Sequence, residues 1–112
     1  MHMTIEATTL SATLYDNATA RQFRAALPLT LSMSDLNANE KHGQLSKSLP
    51  VDASNPGTIQ AGDVMLYGSD TLVLFYKTFT TSYRYTRIGK CNDPSALAAA
   101  FGSGNATVTF SP

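Results

Sequence analysis

The residues best equipped for chemistry lie between positions 67 and 90. Six of the ten aromatic residues (Tyr67, Phe75, Tyr76, Phe79, Tyr83 and Tyr85) fall there, and Arg87 follows them. An arginine carries five donors in a fixed plane and stays charged, so beside aromatic walls it suits a carboxylate or a peptide carbonyl. Tyr76, Phe79, Tyr83, Tyr85 and Arg87 are therefore expected to form a binding surface, with Lys41 as a second cationic contact. The competing reading has the tyrosines packing the interior with their hydroxyls at its rim, and Arg87 paired with Asp63 or Asp93.

Other chemistries find less support. The imidazoles are His2, expected in a frayed terminus, and His42, with no sequence pattern of a nucleophile or metal partner beside it. A zinc site normally takes three or four His, Cys or carboxylate ligands, so no metal site is expected. Cys91 follows a strand and lacks a helix N-terminus or base to activate it. Gly102-Ser103-Gly104 follows a helix rather than opening one, unlike a phosphate-cradling loop. Glu40-Lys41-His42 reads as charges in a loop, solvated or supplying charge to a pocket. No catalytic residue and no cofactor is identified.

The chain has 112 residues, 43% of them hydrophobic and 14% charged, enough for one domain with one core. Eight basic and eight acidic residues cancel. A balanced chain has no bulk field to steer it onto nucleic acid or an anionic membrane, although Arg84, Arg87 and Lys90 lie close together. No run approaches the ~20 apolar residues that span a bilayer. One cysteine forms no internal disulfide, and the start shows no basic-then-apolar leader. These features point to a soluble cytoplasmic protein; an exported form with its leader removed fits nearly as well. Residues 1–112 read as one domain, with 1–3 a candidate cloning remnant.

The elements that must position the aromatic surface are short. Residues 8–15 alternate Leu10, Ala12 and Leu14 with polar neighbours, the period of a half-buried strand. Asn17 can cap a helix over about 17–27, whose stripe contains Ala20, Phe23 and Leu27; Pro28 ends it. Residues 29–33 resume strand period, and 34–50 read as a polar excursion anchored by Leu45 and Leu49. Residues 52–57 form a turn-rich loop. Strands at 64–67 and 72–76, joined by Gly68-Ser69-Asp70, make a hairpin; the second is apolar on both faces and so central. In 83–90, Tyr83, Tyr85 and Arg87 share one face. Asp93-Pro94 opens a helix over about 94–101, and Ala106, Val108 and Phe110 mark a last strand. Many short strands with two short helices predict an all-β closed barrel capped at its ends.

Several ordered pieces add to this: Leu14-Tyr15-Asp16-Asn17 with Thr19-Ala20, Leu27-Pro28-Leu29, Glu40-Lys41, Ala61-Gly62-Asp63, Leu74-Phe75-Tyr76 and Tyr85-Thr86-Arg87-Ile88-Gly89. Together, from about residue 8 to 110, they resemble a bacterial cyclophilin-like family of unsettled role. The resemblance implies a small barrel related in shape to peptidyl-prolyl isomerases. True cyclophilins carry a catalytic arginine in a Phe-rich segment containing Gln-Gly-Gly-Asp, with a tryptophan and a histidine at the groove. This chain has no tryptophan and matches that segment only at Gly62-Asp63, so no isomerase residue carries over. Fold does not convey activity. The leading expectation is a binding module that presents the aromatic and arginine surface to a small anionic ligand, a peptide or a partner protein. The alternatives are a weak prolyl isomerase, with Arg87 hydrogen-bonding the proline nitrogen, and a structural domain whose aromatics are only core.

Overall fold

The computed structural model describes residues 1–112. In chain order the elements are β1 (His2–Ile5), β2 (Thr8–Leu14), α1 (Ala18–Ala25), β3 (Leu29–Leu36), β4 (Glu40–Gln44), β5 (Thr58–Ile59), β6 (Asp63–Tyr67), β7 (Thr71–Phe75), β8 (Phe79–Thr80), β9 (Thr86–Cys91), α2 (Pro94–Phe101) and β10 (Ala106–Ser111). Eight strands close a barrel in the order β1-β10-β3-β4-β7-β6-β9-β2, while β5 and β8 form a separate two-stranded ribbon. Neighbours around the barrel are antiparallel throughout. The closed, helix-capped barrel is the architecture expected from the alternation.

Strand period decides which side chains meet inside. Met3, Ile5, Leu10, Met33, Val64, Leu66, Leu72, Leu74, Ile88, Val108 and Phe110 fill the barrel, nearly all fully buried. The wall is tight in places. A Cβ on Gly89, which faces Leu14 across β2 and β9, would lie 2.5 Å from the Thr13 carbonyl oxygen. No side chain fits there.

The two helices close opposite ends, because α1 leaves the end of β2 and α2 leaves the end of its antiparallel neighbour β9. Asn17 caps α1 by accepting from the Ala20 N–H at 2.8 Å, and Phe23 meets Phe110 edge-on at 5.7 Å. The helix stops at Ala25, two residues short of the expected limit, ahead of a cis Leu27–Pro28 peptide. Asp93 caps α2 through the Ala96 N–H at 3.2 Å, and Leu97 and Phe101 are its buried residues.

A second, smaller core lies outside the barrel. Ile59, Met65, Val73, Phe75 and Tyr85 pack together where the β5–β8 ribbon covers the outer face of β6 and β7. This is why β7 is apolar on both faces.

Two expectations are corrected. Residues 34–50 are not one loop: β3 runs on to Leu36, and Glu40-Lys41-His42 lies in β4, between β3 and β7. The N-terminal residues do not fray. His2 opens β1, its Nδ1 lies 3.1 Å from the Pro112 carbonyl oxygen, and Met3 is fully buried.

Candidate functional site

A concavity of about 580 Å³ lined by several aromatic rings lies on the outer face of the barrel beside the second core. Cross-strand register assembles its floor. Glu40 and His42 of β4 stand opposite Phe75 and Val73 of β7, and Thr71 of β7 stands opposite Tyr67 of β6. The β3–β4 turn with Leu36 and Asn39 forms one wall; Phe79 of β8, Tyr83 and Tyr85 form the other. Tyr67 meets Tyr83 edge-on at 6.3 Å and Tyr85 at 5.7 Å with a 57° tilt. The pocket mouth leaves large rings in water, since Tyr67 is 45% and Tyr83 63% exposed.

Glu40 is the exceptional residue of the floor. The residue is only 7% exposed, and its carboxylate, which makes no hydrogen bond and no ion pair within the protein, opens onto the water of the pocket. Burial, and then the charge of Asp35, push its carboxyl up to about 7. The same carboxylate, after burial itself, helps to hold the Tyr85 phenol above its ordinary value. Asn39 also lines the pocket, and its buried Oδ1 lacks a hydrogen-bond partner.

Of the residues expected at a binding surface, Phe79, Tyr83 and Tyr85 line this pocket, and Arg87, Tyr76 and Lys41 do not. Arg87 shares the outer face with Tyr85, but it lies in a separate concavity with Asn17, Thr19, Pro50 and Asp52. The chain at 50–54 runs alongside the start of β9: Ser54 pairs with Tyr85, and the Asp52 N–H donates to Thr86 Oγ1 at 3.1 Å. Arg87 forms no ion pair, so neither Asp63 nor Asp93 is its partner. Asp63 instead accepts from the Gln60 N–H at 2.8 Å.

Lys41 and Tyr76 point into the barrel. Lys41 is 0% exposed; its Nζ donates to Asp35 Oδ1 at 3.0 Å and to the carbonyl oxygens of Gly102 at 3.4 Å and Gly104 at 2.5 Å. It also sits 5.4 Å from the Tyr76 ring centre and 5.6 Å from that of Phe101, close enough for cation–π attraction. The Tyr76 hydroxyl donates to the same Asp35 oxygen. That hydrogen bond, followed by the one from Lys41, holds the Asp35 carboxyl below its usual range. Burial and Asp35 push Tyr76 up to about 12. The group is a polar plug under the C-terminal end of α2.

Cys91 is buried, and burial raises its thiol, which disfavours the nucleophilic thiolate. No helix is long and apolar enough to cross a membrane.

A model of the cyclophilin-like family matches residues 3–111. The chain belongs to the cyclophilin-like family. No curated protein matches it. In this cyclophilin-like barrel the sequence marks the pocket's carboxylate as a residue but not as a site, because the charged run Glu40-Lys41-His42 hides the strand β4 that carries it. Tyr67 was visible only as one end of the aromatic cluster. Their common signal is register: with β4 paired to β7, Glu40, His42, Val73 and Tyr67 fall on one face.

Proposed function

We propose that this cyclophilin-like domain is a binding module whose outer pocket takes up a small molecule or a single side chain of a peptide or partner protein. The observation behind the reading is a concavity of ligand size with exposed rings at its mouth and an unpaired carboxylate on its floor. Pockets of 300–1,000 Å³ with apolar walls and few polar groups are the usual form of small-ligand sites. Exposed aromatic rings gather water-exclusion energy that only an occupant releases.

The isomerase alternative drew on an arginine beside aromatic walls. Arg87 and the aromatic pocket have no lining residue in common, so the geometry lends that alternative no support.

A fragment screen followed by amide chemical shifts tests the reading. Hits are expected to perturb Glu40, His42 and Tyr83, to weaken in Tyr83→Ala and to be indifferent to Arg87→Ala. Hits that depend on Arg87 and spare Tyr83 would move the site to the other concavity and end this proposal.

A further inference from the structure

We propose that the outer pocket takes an organic cation, an alkylammonium or guanidinium group, seated against the Glu40 carboxylate between the rings of Tyr67, Tyr83 and Tyr85. The inference rests on the pocket being a binding site and adds the chemical class of the ligand.

Three observations carry it. The first is the unpaired Glu40 carboxylate. A largely desolvated carboxylate is costly unless it is paired or hydrogen-bonded, and this one, on a residue 7% exposed, has only the water of the pocket for a partner.

The second is the charge of the lining. No lysine or arginine contributes to the pocket, so an anionic ligand would meet the Glu40 carboxylate with no fixed positive charge in the lining to offset it. The third is the walls. Aromatic faces attract cations through their quadrupole, and Tyr67 contacts both the exposed Tyr83 and the buried Tyr85, at different inclinations.

The molecule already uses this chemistry once. On the inner side of the same strand, the Lys41 ammonium is held by a carboxylate, Asp35, and by the rings of Tyr76 and Phe101. The outer pocket has the carboxylate and the rings without the ammonium.

The test compares probes of one shape and different charge. Choline is titrated against its neutral isostere 3,3-dimethylbutan-1-ol and against benzoate, with amide shifts reporting the location. The peptides acetyl-Gly-Lys-Gly-amide and acetyl-Gly-Arg-Gly-amide form a second arm, which tells a free cation from one carried on a chain.

Cations are expected to bind about tenfold tighter than the neutral isostere. Glu40→Gln should remove that preference, the cation losing far more affinity than the isostere. Cation binding should also strengthen from pH 6 to pH 8 as Glu40 ionises. The groups facing Glu40 are His42 on its own strand, Tyr67 of β6, and Tyr83 and Tyr85 ahead of β9, with Asp35 of β3 acting from inside. The pH trend should therefore persist in His42→Gln.

Equal or tighter binding of benzoate or the neutral alcohol in the pocket overturns the cation class and leaves the binding-module reading standing. A cation affinity unaltered in Glu40→Gln does the same. If no probe of any charge perturbs the pocket residues, both readings fall.

Discussion

Glu40 and Lys41 are consecutive residues of β4 and belong to different sides of the barrel wall. Lys41 faces inward and meets a carboxylate, two backbone carbonyls and two aromatic rings. Glu40 faces outward, is almost as buried, and meets no donor. Opposite charges adjacent in sequence invite the assumption that they neutralise each other. In a strand they cannot, because successive side chains point to opposite faces. Burial alone therefore does not separate structure from function; the state of the hydrogen-bonding partners does. A fully partnered buried charge is part of the scaffold, and one without a protein partner at a pocket is where the proposed ligand would act.

The sharpest way to break this contrast is to remove the inner charge. Lys41→Ala strands Asp35 and two carbonyls and opens a cavity, and should cost about 3–5 kcal/mol. Urea unfolding measures this, and a loss below about 1 kcal/mol would show that the plug is not structural.

The outer charge should behave oppositely. Glu40 has its folded carboxyl raised from 4.5 to about 7, so the folded state holds this proton more tightly than the unfolded chain. Its contribution to stability is full below the unfolded value and is lost as pH rises through about 7. Glu40→Gln, which stays neutral, should then be more stable than the parent at pH 8 by about 2 kcal/mol and should show no gain at pH 4. Unfolding at the two pH values decides it; a variant destabilised at pH 8 would mean that the carboxylate has a partner after all.

Asp35 carries the opposite sign again. Its folded carboxyl is depressed, first by the Tyr76 hydroxyl and then by Lys41, so its contribution is present above the unfolded value of 3.8 and lost as pH falls through the folded one. Tyr76→Phe removes the leading cause. The expected result is an acid-unfolding midpoint shifted to higher pH, with little change at neutrality beyond the lost hydrogen bond. The smallest effect belongs to Tyr83→Ala: at 63% exposure its stability should stay within about 0.5 kcal/mol of the parent, while ligand affinity falls.

The barrel was legible because most inward positions are apolar and alternate with polar ones, as in β2, β3 and β10. The caps were legible because Asn17 and Asp93-Pro94 are strong helix starts. β4 was not, because its inward residues are Lys41 and Gly43, one charged and one without a side chain. Gly43 is crowded: a Cβ there would lie 3.2 Å from Met33 Cγ and 3.3 Å from the Ser32 carbonyl oxygen, so a neighbour would have to yield by a few tenths of an ångström. With that strand missed, neither Glu40 nor Lys41 could be assigned a face. Arg87 illustrates a different limit. Its face was read correctly from local alternation, but the chain at 50–54 runs beside β9, and no local pattern announces a contact more than thirty residues away.

The barrel is sealed by β1 lying between β2 and β10, with His2 beside Ser111. The seam thus joins the first and last strands of the barrel. During synthesis the greasy side chains of Met3 and Ile5 have their hairpin mate within moments, but their second neighbour, β10, is made only after the rest of the barrel. Assembly of such a ring is dominated by distant partners and should be slow for its size, with an exposed, adhesive edge until the final strand arrives.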